Sequence, residues 1–242
     1  MKLYEYTEAK LSKMAERKYR WLGEPITMKM NVMRDEIMQI FDAYYVTDKS
    51  RKERCVIVIR DLLSLQKLLL ALWNVEHYKT DRMIKWASMI DREISLLARL
   101  AGFRAEGQYM YILDYEAVEK LKCMKTASTL HKTIYSKTIS LPTSTRNTKG
   151  SFLMDMADET LYRILEGNRI YPKTKEEYEK RKKNFSRAIN CLKSMESPLM
   201  AIFNLMNYSD ETMEEIAGLV TETAKLLRGI MESDEKRFSN LG

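Results

Sequence analysis

The sequence predicts an all-α chain made of two tandem antiparallel helical bundles related by internal duplication. Glycine (8) and proline (4) are too scarce in 242 residues for many tight hairpins, while methionine (17) and long charged side chains favour helices. Apolar residues then recur at three- and four-residue steps along most of the chain. Finally, Leu69–Tyr78 reads LLALWNVEHY and Leu199–Tyr208 reads LMAIFNLMNY. Leu69, Ala71, Asn74 and Tyr78 match Leu199, Ala201, Asn204 and Tyr208, and Trp73 matches Phe203. The same spacing carries Met83 to Met213, Leu96 to Leu226 and Leu97 to Leu227, across a turn and into the next helix. Two unrelated amphipathic helix pairs would resemble each other in part, because both need an apolar face.

In the first half, a helix is expected from about Leu3 to Trp21, with Leu3, Leu11, Met14 and Trp21 on one stripe. Gly23-Glu24-Pro25 is expected to stop it, since proline cannot continue the hydrogen-bonded ladder. A second helix follows from about Met28 to Tyr45, and Thr47–Ser50 supply a polar turn with capping residues. The third runs from about Arg51 to Glu76 and the fourth, capped by Thr80, from Asp81 to Ala101 with Gly102 after it. Short turns between four helices imply an antiparallel bundle over residues 1–113. The aromatic run Tyr109–Leu113 is expected as an extended segment laid over that bundle.

Residues 114–150 are expected to form a basic connector: a helix from Asp114 to about Lys125, a helical piece from Ala127 to Lys137, then a linker from Leu141 to Gly150. A second bundle is expected over 151–242. Its first helix spans about Phe152–Asn168 and is broken by Ile170-Tyr171-Pro172. Thr174 and Glu177 have the spacing of a capping box. Pro198 should kink or split the long helix that follows, and Ser209 should cap the last one, through about Met231. Tyr45–Lys49 aligns with Tyr171–Lys175 only after a four-residue shift, and the first helix has a counterpart only if Thr126–Lys137 supplies it.

No catalytic pattern is visible. The two histidines, His77 and His131, are far apart, and neither is preceded three residues earlier by the glutamate that a di-iron bundle uses. His77 is expected to pack or cap. No Cys/His spacing fits a metal, all eight glycines are isolated, and no Gly-x-Ser-x-Gly elbow occurs. The expectation is a non-enzyme without cofactor or metal. Cys55, Cys123 and Cys191 are scattered and suit buried thiols in a reducing cytoplasm. The charged first residues do not read as a signal peptide, and no apolar run reaches the ~18 residues of a membrane span.

The net charge is +7, and its placement is informative. Ser151–Gly242 holds 14 basic against 16 acidic residues, Met1–Lys125 holds 23 against 18, and Thr126–Gly150 holds four basic residues and no acid. A cationic excess confined to the first half and connector suits a polyanion. Lys49, Arg51, Lys52 and Arg54 crowd one helix start, where positive charge opposes the macrodipole and brings no local gain. Lys120, Lys122, Lys125, Lys132, Lys137, Arg146 and Lys149 form a second set. These eleven residues are the candidate RNA-binding set, each phosphate contact adding a salt-dependent term. Tyr109, Tyr111 and Tyr135 lie near the second set and have the chemistry to stack on unpaired bases or, equally, to pack on the bundle.

The stretch Ile59–Gly102, IRDLLSLQKLLLALWNVEHYKTDRMIKWASMIDREISLLARLAG, has a leucine-rich helix, a polar turn with tyrosine, and a closing helix bearing Asp91, Glu93, Ile94, Leu96, Leu97 and Gly102. Within Lys13–Gly102 it resembles the accessory variability determinants of diversity-generating retroelements. That family shares a four-helix superfamily with small proteins encoded in intervening sequences of ribosomal RNA genes. Glu166–Lys182 and Asn204–Arg237 look like a further relative. The resemblance implies a basic, non-catalytic helical protein that forms ring-like homo-oligomers, binds the element's reverse transcriptase and template RNA, and supports mutagenic cDNA synthesis. Family members are single bundles about half this length; a fused pair alters the expected subunit count. The alternative expectation is a protein-only scaffold or adaptor of a phage or mobile element, docking through Met28, Met30, Met33, Met195, Met200 and Met206.

Overall fold

The structure is a computed structural model, and it describes residues 2–16, 19–42, 47–76, 80–102, 120–206, 209–238 and 240–241. Among these residues it is all-helical, with no strand. The chain divides into two compact units, Met1–Leu113 and Asp114–Gly242.

The first unit contains α1 (Lys2–Leu11), α2 (Glu24–Ile40), α3 (Asp48–Glu76) and α4 (Thr80–Leu100). Each packs on two others, in the cyclic order α1–α2–α3–α4 and back to α1. Cross-links between α2 and α3 run Lys29–Asp61 and Glu36–Arg54, so the two helices are antiparallel. Trp86 of α4 is almost wholly buried, and its indole N–H donates to Thr7 Oγ1 at 3.0 Å, which ties α1 down. Gln66 of α3 donates to Asp91 of α4 at 2.7 Å inside the core.

Gly23-Glu24-Pro25 does not stop a helix, contrary to expectation. α1 ends early, at Leu11, and a π-helical turn, Tyr19–Gly23, leads straight into α2. Pro25 sits in the first turn of α2, where its missing N–H costs nothing. The Tyr19 ring lies so close over Gly23 that a Cβ there would approach it to 2.6 Å, and the Tyr19 hydroxyl reaches Thr27 Oγ1 at 2.9 Å. α3 and α4 begin and end within a few residues of expectation. Gly102, at φ +76°, follows α4 in the left-handed conformation that favours glycine. The Tyr109–Leu113 segment, the first part of the expected Asp114–Lys125 helix, and His77 lie outside the described residues.

The second unit contains α5 (Lys122–Ile139), α6 (Ser151–Arg169), α7 (Lys175–Ser194), α8 (Glu196–Met206) and α9 (Asp210–Phe238). α5, α6, α7 and α9 pack in that cyclic order, so α5 and α7 stand on opposite corners. Lys122 meets Glu222 and Lys137 meets Thr212, making α5 and α9 antiparallel. Arg163–Asn184 and Gly167–Arg181 do the same for α6 and α7.

The expected linker Leu141–Gly150 is instead helical. One turn at Thr143–Thr145 passes into a π-helical turn, Arg146–Gly150, which continues directly into α6. Its apolar anchor is Leu141, which is buried. At Gly150 a Cβ would come within 2.6 Å of the Thr138 methyl, so the return past the end of α5 is tight. α5 is an integral corner of the bundle: Met124, Leu130 and Ile134 are each at most 1% exposed.

The Thr174–Glu177 capping box forms as expected, with the Glu177 backbone N–H on Thr174 Oγ1 at 3.2 Å and Glu177 Oε2 accepting from the Thr174 N–H at 3.3 Å. The helix is interrupted at Met195, and Pro198 lies in the first turn of α8, splitting the long helix as Pro198 requires. Ser209 caps α9, which runs past Met231 to Phe238.

Three carboxylates are buried among the described residues of this unit, Asp158, Glu166 and Asp234, and Asp158 joins α5 to α6. Asp158 Oδ1 is 2.7 Å from His131 Nε2, and the Tyr135 hydroxyl donates to Asp158 at 2.9 Å. All three side chains are buried, and the His131 and Tyr135 rings stack at 4.6 Å. Burial, and then the adjacent Asp158 charge, push the Tyr135 hydroxyl well above its ordinary value. A raised folded-state value means that the protonated phenol stabilises the fold fully below about pH 10 and less as pH climbs from there toward the raised value. Replacing Asp158 with Ala should cost about 2–5 kcal/mol in urea unfolding followed by circular dichroism, since two buried polar groups lose their acceptor. The stability difference between wild type and Tyr135→Phe should narrow above about pH 10.

Candidate nucleic-acid interface

The first basic cluster occupies the opening turns of α3, and two of its members have local work. Arg51 Nη1 pairs with Asp48 at 3.0 Å, and its Nε donates to the carbonyl of Ile40, the last residue of α2, at 3.3 Å. Arg54 pairs with Glu36 at 2.9 Å and also bonds Gln39. The expectation that the fold gains nothing from these charges is therefore corrected. The α3 start lies beside the α2 C-terminus, whose negative dipole end and open carbonyls attract a guanidinium. Lys49 and Lys52 are exposed, and among the described residues no carboxylate pairs with either.

The second set divides likewise. On α5, Lys122, Lys125, Thr129, Lys132, Thr133, Ser136 and the following Ser140 fall on one face by the 3.6-residue period. All of them are exposed or half-exposed, while His131 and Tyr135 point the opposite way into the core. Lys122 meets Glu222 at 3.4 Å, but both are well exposed, and such a pair holds a side chain only weakly. Among the described residues, no carboxylate pairs with Lys125 or Lys132. From Lys120 to Met154 the chain contains seven cations and no acid.

Lys120 is exposed just before α5, and Lys149 is half-exposed in the π-helical turn. Lys137 leaves the stripe and donates to Thr212 at 3.4 Å. Arg146 folds back onto the Ile139 carbonyl at 3.2 Å and Thr143 at 3.3 Å, serving the end of α5. Tyr135 is a core residue bonded to Asp158, so it does not serve as a stacking platform; Tyr109 and Tyr111 lie outside the described residues.

One basic face was missed in the sequence. Between Glu179 and Glu196 there are six cations and no acid. Lys180, Lys183, Arg187 and Lys193 are exposed on α7. Arg181 turns inward, pairs with Asp234, and donates to the Gly167 and Ile170 carbonyls at 2.9 Å each. Averaging charge over 151–242 concealed this run beneath the acidic surface of α9, where Glu211, Glu214, Glu215, Glu222, Glu232 and Glu235 are exposed. A window of one helix length reveals it.

No group of His, Cys, Asp or Glu among the described residues is arranged to hold a metal ion. Cys55 and Cys123 are buried, and burial pushes both thiols up, away from the reactive thiolate; Cys191 is half-buried. No helix among the described residues is long and apolar enough to cross a membrane.

The division of labour is testable. Arg54→Ala should lower stability by about 1–3 kcal/mol, because it leaves Glu36 half-buried without its cation. Lys49→Ala and Lys52→Ala should each change it by less than about 0.5 kcal/mol, as expected of exposed sites. Thermal and urea melts of the three variants measure the contrast.

Comparison with known proteins found no matching family model, no similar curated protein and no similar solved structure.

Proposed function

We propose that this chain is a non-catalytic, RNA-binding accessory protein of a diversity-generating retroelement. In this reading it engages template RNA and the reverse transcriptase in the cytoplasm to support mutagenic cDNA synthesis. The observation that carries RNA binding is the α5 face: Lys122, Lys125 and Lys132 with interleaved hydroxyls, on a helix without acids. Cations in a row meet successive phosphates, while the Thr129, Ser136 and Ser140 hydroxyls between and beyond them donate to carbonyls of α5 itself and keep the face free of acids. The retroelement setting and the reverse-transcriptase partner rest on the resemblance of Ile59–Gly102.

The tandem-duplication reading belongs here too. In each unit four helices pack in the same cyclic order, with α5 standing where α1 does and α8 as an extra piece in the second. Asp48 and Lys175 begin the corresponding third helices, and Thr80 and Asp210 the last. Leu69 and Leu199 are both buried, as are Leu97 and Leu227. Asn74 is buried whereas Asn204 is exposed, and the Met195 break divides what is one continuous helix in α3.

The protein-scaffold alternative draws on exposed Met28, Met38 and Met200, although Met30, Met33 and Met195 are core residues. Purified protein should bind a structured RNA, with affinity falling steeply as salt rises. Lys122→Gln, Lys125→Gln and Lys132→Gln together should flatten the slope of log K against log salt by about 2, at roughly 0.7–0.9 per phosphate contact. Unchanged affinity and slope in that variant would remove the assignment. Failure of the wild type to bind any RNA at low salt would favour the scaffold.

A further inference from the structure

The second unit carries two cationic faces, and only the one on α5 has so far been given a ligand. On α7, Lys180, Lys183 and Arg187 recur at steps of three and four, so they share one face of the helix. All three are exposed, and Lys193 adds a fourth exposed cation near the end of α7. No acid interrupts the chain between Glu179 and Glu196. Among the described residues, no carboxylate pairs with Lys180, Lys183, Arg187 or Lys193. The bundle's own need for a cation on α7 is met by Arg181, which turns inward to Asp234 and the Gly167 and Ile170 carbonyls.

Position decides what this face can hold. α5 and α7 are opposite corners of the bundle, each packed on α6 and α9. Neighbouring helix axes ~8–10 Å apart make the diagonal between them roughly 11–14 Å. Phe185, Ala188 and Leu192 are buried on the inner side of α7, as His131 and Tyr135 are on α5, so the two cationic faces point away from each other. The ground between them is not cationic. α9 runs beside α5 through the Lys137–Thr212 and Lys122–Glu222 contacts. There, from Asp210 to Ala224, it carries five exposed carboxylates and no cation. On the other side, both arginines of α6 are paired, Arg163 with Glu159 at 2.6 Å and Arg169 with Glu166 at 3.4 Å, while Phe152 and Asp155 are exposed. A phosphate chain running over the surface from α5 to α7 would leave across like charge on α9, or across an apolar and acidic flank on α6. Each cationic face is therefore a separate site.

We propose that the second unit holds two RNA segments at once, one along α5 and one along α7, and so ties them together. The proposal rests on the reading of α5 as an RNA-binding face and adds a second site to it. Phosphate is what both faces recognise, through exposed cations in a row. One bundle between the two segments raises the local concentration of each near the other.

A capture assay with the full chain tests this. A biotin-tagged hairpin RNA is immobilised at low salt and loaded with protein, free protein is washed away, and a dye-tagged copy of the same hairpin is added. The wild type should retain the second hairpin. Lys180→Gln, Lys183→Gln and Arg187→Gln together should still load on the first hairpin yet retain at least about tenfold less of the second, because three phosphate contacts are lost. These positions are exposed, so the variant should melt as the wild type does. If it does not fold, Lys180→Gln with Lys183→Gln decides. Retention of the second hairpin at the wild-type level by the variant would overturn the proposal, since two copies joined through other surfaces would then explain the bridge. A wild type that loads on the first hairpin and retains none of the second would overturn it too, and would leave the α5 reading standing. A wild type that loads on no RNA removes both. Loss of the first hairpin by a variant that melts normally would also overturn it, because α5 would then not hold RNA by itself. Sedimentation without RNA checks the remaining occupant: self-association of the wild type that the variant lacks would assign the α7 face to the acidic α9 of a second copy.

Discussion

The second bundle is organised around Asp158. A carboxylate inside a helical core is tolerable only when its oxygens are satisfied, and here His131 and Tyr135, one turn apart on α5, do this. Two partners spaced four residues apart fix both the height and the rotation of α5 against α6. A methylene contact would permit sliding; a short, directional hydrogen bond does not. The rotation has a second effect. With residues 131 and 135 facing inward, Lys122, Lys125 and Lys132 must face outward. The buried polar cluster and the candidate phosphate-binding stripe are thus two sides of one constraint.

Most of the helical plan was legible because local chemistry wrote it. The Thr174–Glu177 box announces α7, Gly102 marks the end of α4, and Pro198 cannot sit within an unbroken helix. Periodicity fixed α3 and α4 because their apolar stripes are long. The failures occurred where a tertiary contact outweighed a local signal. Pro25 reads as a stop, yet the Tyr19 ring over Gly23 and its bond to Thr27 hold the chain helical through that point. Leu141–Gly150 reads as a linker, since it is polar and short of apolar residues. It is helical because Leu141 is anchored and Arg146 turns back to serve the end of α5.

Charge was legible in amount and less so in use. Composition does not distinguish a cation that meets solvent from one that braces its own fold. Arg51 and Arg54 belong to the second kind, for a reason visible only when α2 lies antiparallel to α3. Lys125 and Lys132 belong to the first.

Arg181 has a wider consequence than its place on α7 suggests. Its guanidinium joins the closing carbonyl at Gly167, the turn carbonyl at Ile170, and the Asp234 carboxylate far along the chain. A lysine ammonium has neither the span nor the planar fork to hold three such acceptors together. The distal end of this bundle therefore behaves as a single latch. Fraying of α9 near Asp234 and loosening of the α6–α7 corner are one event, so hydrogen exchange in these sequence-distant segments shares a common opening step.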